Sequence, residues 1–250
     1  MQIRTFSLLG MLSLTCIVGC GLIPKSKHRE YFVNAQPQIW EDTPSYYVDP
    51  VDSSMVWSKG GVVVKIRHLD DKALNEQFDP KVNPYTFGDW IHPELGYTPP
   101  LWTVFHVTII NRTRERVELD PTSTTLEFDT GEVYYSRQGA GVWYSPEEFF
   151  DYSYVRWSGR DGNTAYFANF DRNDIWRRTE FLREKPIKKG GKYGGMLTFP
   201  PLPKDARSMT LRVDGFILAF DRFAVGYGNP TEFTDMSFTF SVDHGVQFVE

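Results

Sequence analysis

The sequence predicts a mainly β protein, an antiparallel β-sandwich that carries a short helical, aromatic-rich insertion. Apolar and polar residues alternate strictly from Met236 to Asp243, which is the pattern of a strand with one buried and one solvated face. Several other short runs are rich in β-branched and aromatic residues and are separated by glycine, proline or aspartate turns. No cysteine follows Cys20, so no disulfide can cross-link the fold within one mature chain, and packing must stabilise it.

The first 19 residues have the layout of a secretory signal peptide: basic Arg4, an apolar run and small Gly19. The run is too short to span a bilayer comfortably as a helix, which takes about 20 apolar residues. Its end, Ile17-Val18-Gly19-Cys20, resembles the lipobox of bacterial lipoproteins, in which the cysteine is acylated and becomes the mature N-terminus. The resemblance implies a lipid on Cys20 that attaches the chain to the membrane. An ordinary cleaved signal with two incidental cysteines is the alternative.

The same resemblance implies a location in the bacterial cell envelope. Gly21, where some lipoproteins have aspartate, indicates the outer membrane, with the domain facing the periplasm. Residues 20–59 are predicted to be the lipidated N-terminus and a tether, because three prolines interrupt any regular element: Pro37, Pro44 and Pro50. Since Trp40 and Tyr46 are unusual in a free linker, we expect part of this tether to pack on the domain, which is predicted to span residues 60–250.

The predicted strands follow in chain order from Gly61. Residues 62–68 are rich in β-branched side chains, and residues 101–110 are apolar on nearly both faces, as in a central strand. Two or three short strands are predicted between Val117 and Tyr135, with a tight turn at residues 129–131. The later predicted strands are 194–199, 209–220, with a bulge or kink at Gly215, and the alternating run that ends the domain.

Residues 138–185 are predicted to be an insertion between strands. Ser145-Pro146-Glu147-Glu148 combines an N-cap, a proline at the first helical position and a glutamate at the third, so a helix is predicted to begin there. A second helix is predicted from about Asp171 or Asn173 to about Glu184. Asp161-Gly162 between them is typical of a hairpin turn.

Four segments in order are similar to immunoglobulin-like (telokin-like) domains of bacterial envelope proteins. They are Val107-Thr108-Ile109-Ile110-Asn111, Val117-Glu118-Leu119-Asp120, Thr130-Gly131-Glu132-Val133-Tyr134, and the glycines of 190–195 followed by Met196-Leu197-Thr198-Phe199. The resemblance covers residues 61–243 without the insertion. It implies an immunoglobulin-like sandwich and a location outside the cytoplasm, and it transfers no catalytic residues.

Charge and motifs argue against most chemistries. Without Arg4, 26 of the 27 basic residues remain against 32 acidic ones, a net charge of about −6 that disfavours a dedicated nucleic-acid binder. His68 and His106 lie on predicted strands and could approach each other, but none of the five histidines has the spacing of a metal site. No nucleophile elbow, P-loop or dinucleotide motif occurs. We therefore predict a non-enzymatic protein without a metal or a cofactor.

The insertion is the best sequence candidate for a binding face, because tyrosine, tryptophan and arginine are enriched at binding hot spots. The candidate partner or ligand face consists of Trp143, Tyr144, Arg156, Trp157, Trp176 and Arg177. The alternative is that these aromatic side chains form the core of a small helical subdomain.

Two functions therefore compete. The leading one is a structural or interaction module that contacts another envelope protein, and the alternative is a lipoprotein that binds a small ligand or a glycan through the insertion. A deep pocket lined by the insertion's aromatic side chains would favour the ligand, and a flat exposed patch would favour the partner.

Overall fold

The computed structural model describes residues 28–39, 44–137, 163–182, 186–221 and 228–249, with side chains in the helix at 163 described from Phe170 onward. The described residues are mainly β and form two five-stranded antiparallel sheets. The order in the first sheet is β1 (His28–Gln38), β12 (Pro230–Val249), β11 (Ser208–Phe220), β7 (Thr124–Phe128) and β8 (Val133–Tyr135). The order in the second sheet is β10 (Lys192–Phe199), β5 (Thr103–Asn111), β4 (Val62–Leu69), β3 (Met55–Lys59) and β2 (Tyr46–Val48).

The inner faces of the two sheets share one apolar core, as in a β-sandwich. Phe105 of the second sheet meets Phe240 of the first at 5.6 Å between ring centroids. Along β12 every second residue from Met236 to Val242 is buried, so the predicted alternation of that strand is confirmed. A small ladder of β6 (Arg116–Val117) and β9 (Ile187–Lys188) completes the strands.

The bulge predicted at Gly215 is confirmed. The pairing of β11 with β12 shifts register between Val213 and Phe216, and Gly215 has a φ of +68°, which favours glycine. Asp235 stabilises this bend, because its carboxylate accepts a hydrogen bond from the Gly215 N–H at 2.7 Å.

The domain boundary predicted at residue 60 is wrong. Three strands lie within the segment expected to be a tether, and β1 pairs with β12 along its whole length. Pro37 does not prevent this, because β1 is the edge strand of its sheet and one side of its backbone needs no ladder partner. Pro44 and Pro50 lie in turns, where proline is favoured.

In the part of the chain that the structure describes, two α-helices and a short 3-10 turn (Pro121–Ser123) accompany the strands. Helix α1 (Asp71–Gln77) was not predicted; the Asp70 side chain caps it by accepting a hydrogen bond from the Ala73 N–H at 2.8 Å. Helix α2 (Asn163–Thr179) begins earlier and ends earlier than the helix predicted from Asp171 to Glu184. The helix predicted at Ser145 and the turn at 161–162 lie outside the described residues. No described helix is long and apolar enough to cross a membrane.

A second apolar cluster covers the outer face of the second sheet. Its members are Leu69, Leu74, Tyr85, Val104, Trp176 and Met196. The rings of Tyr85 and Trp176 stack at 5.1 Å, which fixes the end of α2 against the segment after α1. This cluster holds α1 in place, and the first turn of α1 carries the key residue of the site below.

Candidate ligand-binding cleft

The first sheet extends past the core of the sandwich at one end. Beyond Val242, the inner-facing residues of β12 emerge from the core: Val246 is 38% exposed and Phe248 is 71% exposed. This end of β12 pairs with the beginning of β1, from His28 opposite Val249 to Val33 opposite His244. We call residues 28–33 and 244–249 the overhang.

A cleft of about 580 Å³ lies beneath the overhang, between β1, the turn from β4 into α1, and residues 88–103. We call it the Asp71 cleft; the side chains that matter below are Tyr31, His68, Asp71, Glu76 and Trp102. A smaller cavity of about 320 Å³ shares part of this wall and continues along β1 past Val33. The volume of the larger cleft is in the range of small-molecule sites, about 300–1,000 Å³.

Tyr31 projects from the inner face of β1, and its hydroxyl lies 2.8 Å from Nδ1 of His244. The other ring nitrogen of His244, Nε2, lies 3.2 Å from the carbonyl oxygen of Ala206. A carbonyl can only accept, so Nε2 carries a proton, and in that tautomer Nδ1 accepts from the Tyr31 hydroxyl. This leaves the Tyr31 oxygen free to accept a hydrogen bond from a ligand.

The environment keeps Tyr31 protonated. Burial, followed by the negative charge of Asp71, raises the pKa of Tyr31 to about 12. The ring stacks on Tyr97 at 6.4 Å between centroids, and this contact holds its orientation. Tyr31 is therefore a neutral, positioned polar group in the wall of the cleft.

Asp71 is the first residue of α1, and its carboxyl lies in the wall of the cleft. It has no hydrogen-bond or ion-pair partner in the described part of the chain, although it is mostly shielded from solvent. Burial, followed by the negative charge of Asp70, raises the pKa of Asp71 to about 7. A carboxylate held in this way is stabilised when a positive charge approaches, because the charge offsets its lost hydration.

His68 lies near the end of β4 and packs its ring edge-on against Phe105 at 5.5 Å. Burial lowers the pKa of His68 to about 4 despite the nearby charge of Asp70, so the ring is neutral at pH 7. His106 pairs with Arg67 rather than with His68 and points to the opposite face, so the two histidines do not converge. Within the described ranges, no group of three or more His, Cys, Asp or Glu side chains could hold a metal ion.

The charges along the cleft are unbalanced. Among the described residues that line it, five are acidic: Glu30, Asp70, Asp71, Glu76 and Asp89. The lysine and arginine side chains in the lining are Lys72 and Arg29, and the Arg29 guanidinium donates to the Leu95 carbonyl at 2.9 Å and lies over the Tyr97 ring. An excess of carboxylates in a concave site attracts cations.

Two residues of the face predicted from the sequence, Trp176 and Arg177, are described by the structure, and neither lines the Asp71 cleft. Trp176 is only 4% exposed and belongs to the second apolar cluster, so it is a core residue and not part of an exposed face. Arg177 is exposed on α2. Trp143, Tyr144, Arg156, Trp157 and Cys20 lie outside the described residues, and their roles stay predictions.

Sequence reasoning missed Tyr31, Asp71 and His244 because they are far apart along the chain. The pairing of β1 with β12 brings Tyr31 to His244, and the turn after β4 brings Asp71 beneath them. The available signal was the Asp70-Asp71 pair, where one carboxylate suffices to cap a helix and the second has no such role.

No protein-family model and no curated protein matches this chain. A solved structure that is similar is the crystal structure of the yjhA protein from Bacillus subtilis, at 9% sequence identity. The match covers 64% of this chain and 76% of that chain, with a TM-score of 0.31. A TM-score this low supports no conclusion about fold or function.

Proposed function

We propose that this chain is a lipid-anchored binding protein of the bacterial cell envelope that holds a small organic cation in the Asp71 cleft. The observation that carries the proposal is the Asp71 carboxyl, which has no hydrogen-bond or ion-pair partner among the described residues and lies in the wall of a negatively charged cleft of about 580 Å³. The proposal is non-enzymatic: the cleft binds its ligand and releases it unchanged.

The neighbouring groups suit an ammonium ligand. The Asp71 carboxylate would pair with the positive charge, and the Tyr31 oxygen would accept a second N–H or contact an N-methyl group. Trp102 supplies apolar and aromatic surface for the carbon atoms of the ligand. His68 is neutral, so it does not repel a cation.

The test is a calorimetric titration of the purified protein with choline, ethanolamine and putrescine, with 3,3-dimethylbutan-1-ol as the neutral isostere of choline. We expect at least one cation to bind, the alcohol not to bind, and Asp71→Asn to weaken binding at least tenfold. Asp243→Asn is the matched control, because that carboxylate is exposed on β12 and does not line the cleft. Equal binding of choline and its isostere, or binding by none of the cations, would overturn the proposal.

Lipidation of the chain and the immunoglobulin-like type of its β-sandwich are part of the same proposal. Lipidation of Cys20 and a place at the outer membrane facing the periplasm are supported by the lipobox-like Ile17-Val18-Gly19-Cys20. The immunoglobulin-like type is supported by the way the chain crosses between its two sheets, at β1 to β2, β5 to β7, β8 to β10 and β10 to β11.

A second candidate function is docking on another envelope protein, and one observation favours it. The edge strand β8 presents Val133, which is 46% exposed, and Tyr135, which is 68% exposed, on the outer face of its sheet. Exposed edges and aromatic side chains are common in interfaces. A photo-crosslinking amino acid at position 135 should capture a defined envelope protein in cells, whereas capture at no higher level than at exposed Thr122 would exclude this docking site.

A further inference from the structure

The tip of the overhang lies close to the proposed lipid anchor. β1 begins at His28, eight residues after Cys20, and His28 pairs with Val249 at the end of the first sheet. Eight residues span at most about 29 Å when fully extended. If Cys20 carries its acyl chains in the bilayer, the tip of the overhang must lie within that distance of the membrane surface.

Apolar side chains are exposed at this tip. On β12, Phe248 is 71% exposed and Val246 is 38% exposed, and neither lines the Asp71 cleft. The loop beside them adds Ile91, which is 54% exposed, and Leu95, which is 36% exposed. Arg29 joins the two parts, because it pairs with Phe248 across the strands and donates to the Leu95 carbonyl.

The local charge also fits a membrane surface. The chain as a whole has a net charge of −5, yet the approach to the tip reads Lys25-Ser26-Lys27-His28-Arg29. Basic residues beside a membrane anchor are attracted to anionic lipids. Apolar side chains beside basic residues insert among the lipid headgroups.

We propose that the tip of the overhang, formed by Val246, Phe248, Ile91 and Leu95 with the basic side chains of His28 and Arg29, rests on the surface of an anionic bilayer. The proposal builds on the lipidation of Cys20. It sets the orientation of the domain, with the Asp71 cleft beside the headgroups and the far end of the sandwich pointing away from the membrane.

The experiment uses the full lipidated protein in vesicles of phosphatidylethanolamine and phosphatidylglycerol. After processing, Cys20 is acylated and no other thiol remains, so one introduced cysteine can carry an environment-sensitive NBD fluorophore. The label is placed through Phe248→Cys, and through Phe233→Cys as the matched control. Phe233 lies on the same strand and is 57% exposed, but it is separated from Phe248 by 15 residues, about 50 Å of strand.

We expect the emission of the label at position 248 to shift to the blue and to be quenched by headgroup-region spin-labelled lipids, whereas the label at position 233 stays solvated. A second label, Leu95→Cys, should be quenched as well, and adding Phe248→Ser should reduce this quenching about tenfold, whereas adding Phe233→Ser should not. Equal quenching at positions 248 and 233 would overturn the proposal. A label at 248 that is shielded without lipid quenching would also overturn it and would indicate contact with a second copy of the chain.

The two proposals fail in different ways. Without acylation the protein does not float with the vesicles in a density gradient, and the anchor itself is then refuted. With acylation the protein floats whatever the orientation of the domain, so the quenching pattern tests the tip alone. Loss of cation binding in the Asp71 cleft changes neither result.

Discussion

The Asp71 cleft predicts a pH dependence of stability in which two groups oppose each other. The pKa of Asp71 is raised from 3.8 to about 7 in the folded state, so its stabilising contribution is fully present below pH 3.8 and is lost as the pH rises through about 7. The pKa of His68 is lowered from 6.5 to about 4, so its contribution is present above pH 6.5 and is lost as the pH falls through about 4. Between pH 4 and pH 6.5 the two slopes have opposite signs.

The magnitudes follow from about 1.4 kcal/mol for each unit by which the folded and unfolded pKa values differ. Asp71 then changes the free energy of unfolding by about 4 kcal/mol across its window, and His68 by about 3 kcal/mol. Because both side chains keep some exposure, solvent screening reduces these upper figures. In the wild-type protein the two contributions nearly cancel over their shared window.

Single substitutions should reveal each slope. In Asp71→Asn only the His68 contribution remains, so stability relative to wild type should rise from pH 4 to pH 6.5. In His68→Gln only the Asp71 contribution remains, so relative stability should fall across the same interval. The assay is urea denaturation followed by tryptophan fluorescence at several pH values, since differences from wild type remove the titration of all shared groups.

The double variant is the control for this prediction. Asp71→Asn with His68→Gln should restore the shallow wild-type profile, shifted by a constant. Parallel profiles for the wild type and both single variants would refute the shifted pKa values and the argument built on the shielding of these two groups.

Three other predictions concern the core, the anchor and a buried turn. Phe240 is 1% exposed and meets Phe105, so Phe240→Ala should lower the free energy of unfolding by about 3–5 kcal/mol. Thr239→Ala should lower it by about 1 kcal/mol or less. Similar losses in the two variants would mean that the register of β12 is wrong. Cys20→Ser should abolish labelling by radioactive palmitate and leave unprocessed precursor, and undiminished labelling would exclude the lipobox assignment. The buried Asn111 amide donates to the carbonyl oxygens of Arg114 and Ile187, both at 2.8 Å. Asn111→Ala should therefore lower the free energy of unfolding, measured by urea denaturation, by about 2–4 kcal/mol. A loss no larger than that of Arg112→Ala, at an exposed position, would argue against these bonds.

The strands of the core could be predicted from the sequence because burial on one face leaves a period of two. β12 shows this alternation from Met236 to Val242, and β4 shows the β-branched side chains of a strand between two others. β1 could not be predicted in the same way. Its burial is only partial, and Pro37 is compatible with it only because the strand lies at an edge, which is a tertiary fact.

The site could not be predicted because its geometry depends on long-range pairing. Tyr31 and His244 are 213 residues apart, and only the register of β1 against β12 makes them neighbours. Trp176 shows the converse case. The aromatic density of the insertion is compatible with a core as well as with an exposed face, and the stacking of Trp176 on Tyr85 decides for the core at that residue.

The most direct test of the proposed function is the titration of the Asp71 carboxyl itself. Its ¹³C resonance, assigned by its absence in Asp71→Asn, can be followed against pH with and without choline or another cation that binds. We expect a pKa of about 7 in the free protein and a clear decrease when the cation is present, because the bound charge favours the carboxylate. A pKa near the ordinary 3.8 that no organic cation changes would contradict the account.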